Sequence, residues 1–113
     1  MNNKGNILVV DDEKSQREIL KTILEDEGYL VHSAGSGREA LELFKTTVPD
    51  LIITDLKIPD IDGMSLLNSF TRDPNLSPVI IMTAYGTINS AVEAMKKGAF
   101  DYLTKPLERD ELL

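Results

Sequence analysis

The sequence predicts an α/β fold in which helices cover both faces of a parallel sheet, an arrangement called doubly wound. Short apolar runs alternate along the chain with longer stretches of helical periodicity. The apolar runs show no polar alternation, which is typical of strands that are buried on both faces. The repeated strand-helix order then predicts right-handed crossovers between parallel strands.

Five segments have the composition of strands. Three are continuous apolar runs, and two are weaker segments with aromatic and β-branched residues. In chain order they are Asn6–Val10, Tyr29–Ser33, Leu51–Thr54, Val79–Met82 and Phe100–Thr104. We expect these strands to form one five-stranded sheet with the flavodoxin-like order 2-1-3-4-5.

The first two helices are marked by apolar periodicity and by end signals. Ile19 and Leu20 begin an apolar face in the first helix, and Gly28 is placed to end it. Ser36 and Glu39 have the spacing of a capping box at the start of the second helix. The sequence GSG at 35–37 therefore predicts a turn and cap, because it is only a fragment of a dinucleotide-binding loop.

Three more helices follow. The third begins after Asp62, the fourth ends at Gly98, and a fifth begins near Leu107. The chain ends soon after the fifth helix begins. We therefore expect a single domain over residues 1–113, excised from a longer protein, with its last helix truncated.

Composition excludes several classes of function. The 113 residues include no cysteine, which excludes disulfides and thiolate metal sites, and His32 cannot form a zinc site alone. A net charge of −7 disfavours direct nucleic acid binding by this domain. No apolar run is long enough to span a membrane, and no signal sequence is visible. We therefore expect a soluble, cytoplasmic domain.

Polar side chains follow four of the predicted strands. Asp11 and Asp12 follow the first strand, Asp55 the third, Thr83 the fourth and Lys105 the fifth. In such sheets ligands bind outside the carboxyl ends of the strands, near the point where the strand order reverses. Because the first and third strands are neighbours there, we expect the three aspartates to lie close together.

Three carboxylates in one pocket favour a bound cation. Oxygen ligands with room for water suit Mg²⁺, and a carboxylate beside Mg²⁺ can attack phosphorus. Lys105 can supply an ammonium and Thr83 a hydroxyl to the transferring phosphoryl group. The pattern therefore predicts that Asp55 is a phosphate acceptor.

Each of these residues alone has an ordinary alternative. Asp55 could be a turn former, Asp12 the N-cap of the first helix, Thr83 a loop residue and Lys105 a solvated surface lysine. Their joint occurrence at the ends of different strands favours a functional site.

Four motifs resemble the receiver domain of two-component response regulators, a CheY-like fold. They are VVDDE at Val9–Glu13, TDLKIPDIDGM at Thr54–Met64, MTAYG at Met82–Gly86 and DYLTKP at Asp101–Pro106. The stretch 84–106 is similar to receivers of NtrC-like regulators. That resemblance implies sigma-54-dependent transcription activation through downstream AAA+ and helix-turn-helix domains, which this chain does not contain.

The resemblance assigns chemical roles to five residues. It implies phosphorylation of Asp55 to 4-aspartylphosphate by a sensor histidine kinase. Asp12 resembles the direct metal ligand and Asp11 its partner, and the Lys57 backbone carbonyl resembles a further ligand. Lys105 resembles the family's invariant lysine.

The resemblance also implies a conformational switch and its consequences. Thr83 and Tyr102 resemble the switch residues, and the Lys105–Pro106 peptide bond is expected to be cis so that Lys105 points into the pocket. A homodimer through the fourth helix and fifth strand is expected in the family, although the truncated fifth helix weakens this expectation here. We expect self-catalysed phosphorylation and slow dephosphorylation, and no enzymatic turnover.

Two rival classes remain. A phosphohydrolase of the haloacid-dehalogenase type also uses an aspartate at a strand end, but its motif resembles Asp-x-Asp and the second position here is Lys57. A degenerate receiver that serves only as a binding module usually lacks an acceptor, metal or lysine position, and this chain has all of them.

Overall fold

The computed structural model describes residues 4–72, 77–83 and 88–104. Within these ranges, strands and helices alternate. The elements are β1 (Asn6–Val10), α1 (Lys14–Asp26), β2 (Leu30–Ala34), α2 (Gly37–Thr47), β3 (Leu51–Thr54), α3 (Gly63–Thr71), β4 (Val79–Thr83), α4 (Ile88–Lys96) and β5 (Asp101–Thr104). The strands are parallel and lie in the order β2-β1-β3-β4-β5, which confirms the predicted doubly wound fold. The predicted fifth helix near Leu107 lies outside the described residues.

Alternate side chains of β1 fill two separate cores. Leu8 and Val10 pack on one face of the sheet with residues of α2, α3 and α4. Ile7 and Val9 pack on the other face, where they meet Leu24 of α1. Side chains alternate between the two faces of a strand, so an apolar run without polar interruptions serves both cores.

The C-terminal end of α1 decides where β2 begins. Gly28 has a φ of +102°, and its N–H donates to the Glu25 carbonyl at 3.0 Å, while the Tyr29 N–H donates to the Leu24 carbonyl at 3.1 Å. These two bonds form a Schellman motif. Tyr29 is therefore part of the helix end, and the strand begins at Leu30 instead of at the predicted Tyr29.

The same motif ends α4. Gly98 has a φ of +104°, and the Ala99 N–H donates to the Ala94 carbonyl at 3.0 Å. Gly28 and Gly98 thus end their helices as predicted. β5 begins at Asp101, one residue later than predicted, and Thr83 is the last residue of β4 instead of following it.

The start of α2 confirms the predicted cap. The Ser36 side chain accepts a hydrogen bond from the Glu39 N–H at 3.2 Å. The Glu39 carboxylate accepts from the Gly35 N–H at 2.8 Å, one residue before the position expected in a capping box. The GSG segment is therefore a turn that leads into a capped helix.

One apolar residue of α1 lies away from the core. Leu20 and Leu24 are buried against the sheet, but Ile19 is 55% exposed. Consecutive helical residues differ by about 100° in direction, so Ile19 cannot face the sheet together with Leu20. The predicted apolar face of α1 is therefore wider than the part of the helix that packs on the sheet.

Candidate functional site

Two buried aspartates lie side by side where β1 and β3 end. We call the side of the sheet formed by the carboxyl ends of its strands the carboxyl edge, and the opposite side the amino edge. Val10 of β1 pairs with Thr54 of β3, and the next residue in each strand direction is an aspartate. The Asp55 N–H donates to the Val10 carbonyl at 3.0 Å, so the backbone pairing continues to Asp55. Asp11 and Asp55 are only 2% and 5% exposed. The predicted juxtaposition of these two residues is confirmed.

Each buried carboxylate also shapes the turn that follows it. Asp11 Oδ1 accepts from the Glu13 N–H at 3.0 Å, and Asp55 Oδ1 accepts from the Lys57 N–H at 3.0 Å. Aspartate commonly bonds the backbone two residues further on in this way. The turn-forming interpretation of Asp55 is therefore correct in itself. These bonds also fix the orientation of both carboxylates and place the Lys57 peptide beside Asp55.

Asp12 differs from its neighbour Asp11 because its side chain is exposed. In the described part of the chain, no group of three acidic or histidine side chains is arranged as a metal site, so a ligand role for Asp12 beside Asp11 and Asp55 stays a prediction. The alternative reading of Asp12 as a helix cap is also wrong. Glu13 is the N-cap of α1, and it makes no side-chain capping bond.

The donor set at this edge nevertheless suits Mg²⁺. Mg²⁺ is commonly held by one or two carboxylates together with several waters. Asp11 and Asp55 are two carboxylates at adjacent strand ends, and the Lys57 peptide is tied to one of them. The exposed Asp12 directly follows Asp11 in the chain.

Arg17 stabilises the turn that follows β1, and the sequence analysis did not predict this contact. Its Nη1 atom donates to the Asp11 backbone carbonyl at 2.8 Å. A Cβ atom at Gly35 would lie 2.8 Å from the same nitrogen, so the absence of a side chain at Gly35 leaves room for the guanidinium. The sequence carries no signal for this contact, because an arginine on an amphipathic helix normally faces solvent.

Thr83 and Tyr102 lie on neighbouring strands. Thr83 is fully buried at the end of β4 and pairs with Thr104. Tyr102 is partly buried, and its hydroxyl lies 2.7 Å from Ser90 Oγ on α4. Sequence reasoning selected Tyr102 but missed Ser90, whose partner is on a different element.

The remaining predicted site residues are Lys105 and Pro106. They lie outside the described residues, as does the cis peptide bond expected between them. The loop at 84–87, which follows Thr83, also lies outside the described residues.

Asp60, in the connection between β3 and α3, was also missed. It is exposed, and its two carboxylate oxygens accept from the N–H groups of Gly37 and Arg38 at 2.8 and 3.0 Å. These backbone hydrogen bonds hold the pKa of Asp60 below its ordinary value of 3.8. The contact joins the connection after Asp55 to the start of α2.

This fold and its acidic edge define the class of protein. Residues 7–113 match the family model described as response regulator receiver domain, and the chain belongs to that family. It is 46% identical over 106 residues to the transcriptional regulatory protein ZraR of Escherichia coli strain K12. It is 41% identical over 110 residues to the DNA-binding transcriptional regulator NtrC of Proteus hauseri.

A solved structure agrees in fold. The chain superposes on a response regulator receiver domain protein from Clostridium thermocellum with a TM-score of 0.87 and 39% identity, covering 95% of this chain and 86% of the other. The curated matches cover 94% and 97% of this chain but only 24% and 23% of ZraR and NtrC. The chain thus spans about a quarter of those relatives. Among the described residues, no helix is long and apolar enough to cross a membrane.

Proposed function

We propose that this receiver domain accepts a phosphoryl group from the phosphohistidine of a sensor histidine kinase. The acceptor is Asp55, and the reaction requires Mg²⁺. The observation that carries the proposal is the pair of buried carboxylates, Asp11 and Asp55, at adjacent strand ends in a chain of this family. Aspartates are seldom buried, and ligands of such sheets bind at the carboxyl ends of the strands, so two buried aspartates there favour a functional role.

The chemical step forms one bond and breaks another. An oxygen of the Asp55 carboxylate attacks phosphorus and forms an acyl phosphate. The bond between phosphorus and the kinase imidazole breaks, and its electron pair stays on the imidazole nitrogen. The Lys57 N–H bond to Asp55 holds the carboxylate in place for this attack.

Asp11, Asp12, Asp55 and the Lys57 carbonyl are the groups that would hold Mg²⁺. When bound, the ion offsets negative charge on the transferring phosphoryl group. Asp11 is fixed by its bond to the Glu13 N–H and by Arg17 on its backbone carbonyl. Asp12 joins the set from the exposed rim.

Thr83 and Tyr102 then transmit the signal. Thr83 contacts the new phosphoryl group, assisted by Lys105, and Tyr102 changes position in response. Tyr102 can only leave α4 by giving up its hydrogen bond to Ser90. Phosphorylation shifts the population between the two arrangements because only one of them makes contacts with the phosphoryl group.

In its full-length context the domain controls an output domain. The relatives named as transcriptional regulators support a transcriptional output. The resemblance to NtrC-like regulators suggests that sigma-54-dependent AAA+ and helix-turn-helix domains outside this chain provide it. The domain works in the cytoplasm, can pair with a second copy through α4 and β5, and does not itself bind nucleic acid. It accepts and slowly loses its phosphoryl group and turns over no external phosphate ester.

The test is phosphoryl transfer to the purified domain. Acetyl phosphate with Mg²⁺ should label the wild-type domain, and Asp55→Asn should remove stable labelling because an amide is a poor nucleophile toward phosphorus. Asp50→Asn is a matched control, since Asp50 lies at the opposite edge of the sheet. Undiminished labelling of Asp55→Asn would refute the acceptor assignment, and steady hydrolysis of p-nitrophenyl phosphate would favour the phosphohydrolase alternative.

A further inference from the structure

The connection between β3 and α3 is bonded to a helix that is distant in sequence. Asp60 Oδ1 accepts from the Gly37 N–H at 2.8 Å and Oδ2 accepts from the Arg38 N–H at 3.0 Å. Gly37 and Arg38 are the first two residues of α2, whose N–H groups have no partner within the helix. The carboxylate is also favoured by the positive end of the helix dipole.

Local residues cap only part of this helix. The Ser36 side chain accepts a hydrogen bond from the Glu39 N–H, and the Ser36 carbonyl accepts one from the Ala40 N–H. The two remaining N–H groups at the helix start bond to Asp60. The cap of α2 is therefore shared between the helix and the connection that follows the acceptor.

Two glycines let this connection, residues 55–63, pack closely. A Cβ atom at Gly37 would lie 2.8 Å from Ile61 Cδ1, so Ile61 fills the space beside the first turn of α2. A Cβ atom at Gly63 would overlap the backbone of Leu56, so the two ends of the connection touch. Asp60 and Ile61 thus attach the middle of a closed loop to α2.

We propose that Asp60 is a positioning residue for the acceptor site. Its hydrogen bonds to α2 fix the conformation of the connection. They thereby keep the Lys57 carbonyl within reach of a cation bound by Asp11 and Asp55. Lys57 lies between the acceptor and this attachment, and its own N–H is already bonded to Asp55. This inference rests on the proposed function, because it concerns the cation of that site.

The experiment measures Mg²⁺ affinity directly by calorimetry on the whole chain. Asp60→Ala should weaken Mg²⁺ binding about tenfold, the lower end of the effect expected when a residue that orients a metal ligand is removed. Asp60→Asn keeps one acceptor oxygen and should lose less. It also serves as the second variant if Asp60→Ala does not fold.

Asp50→Ala is the matched control for a purely structural role. Asp50 is also exposed and accepts from a backbone N–H of another element, that of Asn6 at 2.8 Å, but at the opposite edge of the sheet. It should leave Mg²⁺ affinity within about twofold of the wild-type value, since no ligand of the proposed site depends on it.

The outcomes separate the two proposals. Mg²⁺ affinity in both Asp60 variants equal to wild type, with Asp55 still labelled, would overturn the positioning role alone. An equal loss in Asp60→Ala and Asp50→Ala would also overturn it, because general destabilisation would then explain both. A wild-type domain that neither binds Mg²⁺ nor takes up phosphate would overturn the proposed function, and the positioning role with it.

Discussion

Aspartates accept backbone hydrogen bonds at both the amino and the carboxyl edge of the sheet, but their surroundings differ. At the amino edge, the exposed Asp50 accepts from the Asn6 N–H at 2.8 Å and closes β3 against β1. At the carboxyl edge, Asp11 and Asp55 accept similar bonds, but both are buried and belong to adjacent strands. The hydrogen bond alone therefore does not mark a site. Burial beside a second carboxylate distinguishes the carboxyl edge.

The edges also differ in where close approach and strain occur. At the carboxyl edge the start of α3 rests against Leu56, and only a glycine at position 63 allows this. At the amino edge Val48 adopts the left-handed conformation, with φ of 46°, and is 74% exposed. The close approach of Gly63 to Leu56 holds together the connection that follows Asp55, whereas the strained Val48 lies beside no identified site.

The largest expected effect is on the increase in the free energy of unfolding that Mg²⁺ produces. At a Mg²⁺ concentration 100 times the dissociation constant, the free energy of unfolding of the wild-type domain should rise by about 2.7 kcal/mol. Asp11→Asn should remove most of this increase because it removes a ligand charge, whereas Asp50→Asn should retain it. Urea denaturation with and without Mg²⁺ measures the difference. If Mg²⁺ raised the free energy of unfolding equally in Asp11→Asn and Asp50→Asn, the proposed difference between the two edges would be contradicted.

A smaller effect is expected at the strained amino edge. Val48→Gly should raise the free energy of unfolding by about 1 kcal/mol, because a β-branched residue is disfavoured in the left-handed conformation and glycine is not. Val48→Ala keeps a Cβ atom and should gain less. Phosphate labelling should be unchanged in both variants. A loss of stability in Val48→Gly would show that the side chain contributes more than its strain costs.

The smallest expected effect is the pH dependence contributed by Asp60. Its pKa is lowered in the folded domain, so its stabilising contribution is complete above the unfolded value of 3.8 and is lost as pH falls through the folded value. The gap in unfolding midpoint between wild type and Asp60→Asn should therefore narrow as the pH falls below 3.8. A gap that stays constant over this range would contradict the shared cap.

The sequence predicted the fold and the central pair because both depend on patterns along the chain. Apolar runs located the strands, and parallel pairing brings the residues after β1 and β3 to one edge, so Asp11 and Asp55 could be placed together. The ends of the strands were less accurate. Tyr29 has strand composition, but its N–H is used to close α1.

The missed residues act through contacts between distant segments. Asp60 bonds to residues 23 and 22 positions away, and Ser90 meets Tyr102 across 12 positions. Neither residue belongs to a local pattern that periodicity or capping rules detect. Asp12 is exposed although its neighbour Asp11 is buried, because successive residues after a strand point in different directions.

The most direct test of the account is to identify the modified residue. The domain is labelled with acetyl phosphate and Mg²⁺, the acyl phosphate is reduced with borohydride, and the product is mapped by mass spectrometry. The account predicts that reduction converts the side chain at position 55 to that of homoserine, with Asp11, Asp12 and Asp60 unchanged. Modification at one of those three residues, with Asp55 intact, would contradict it.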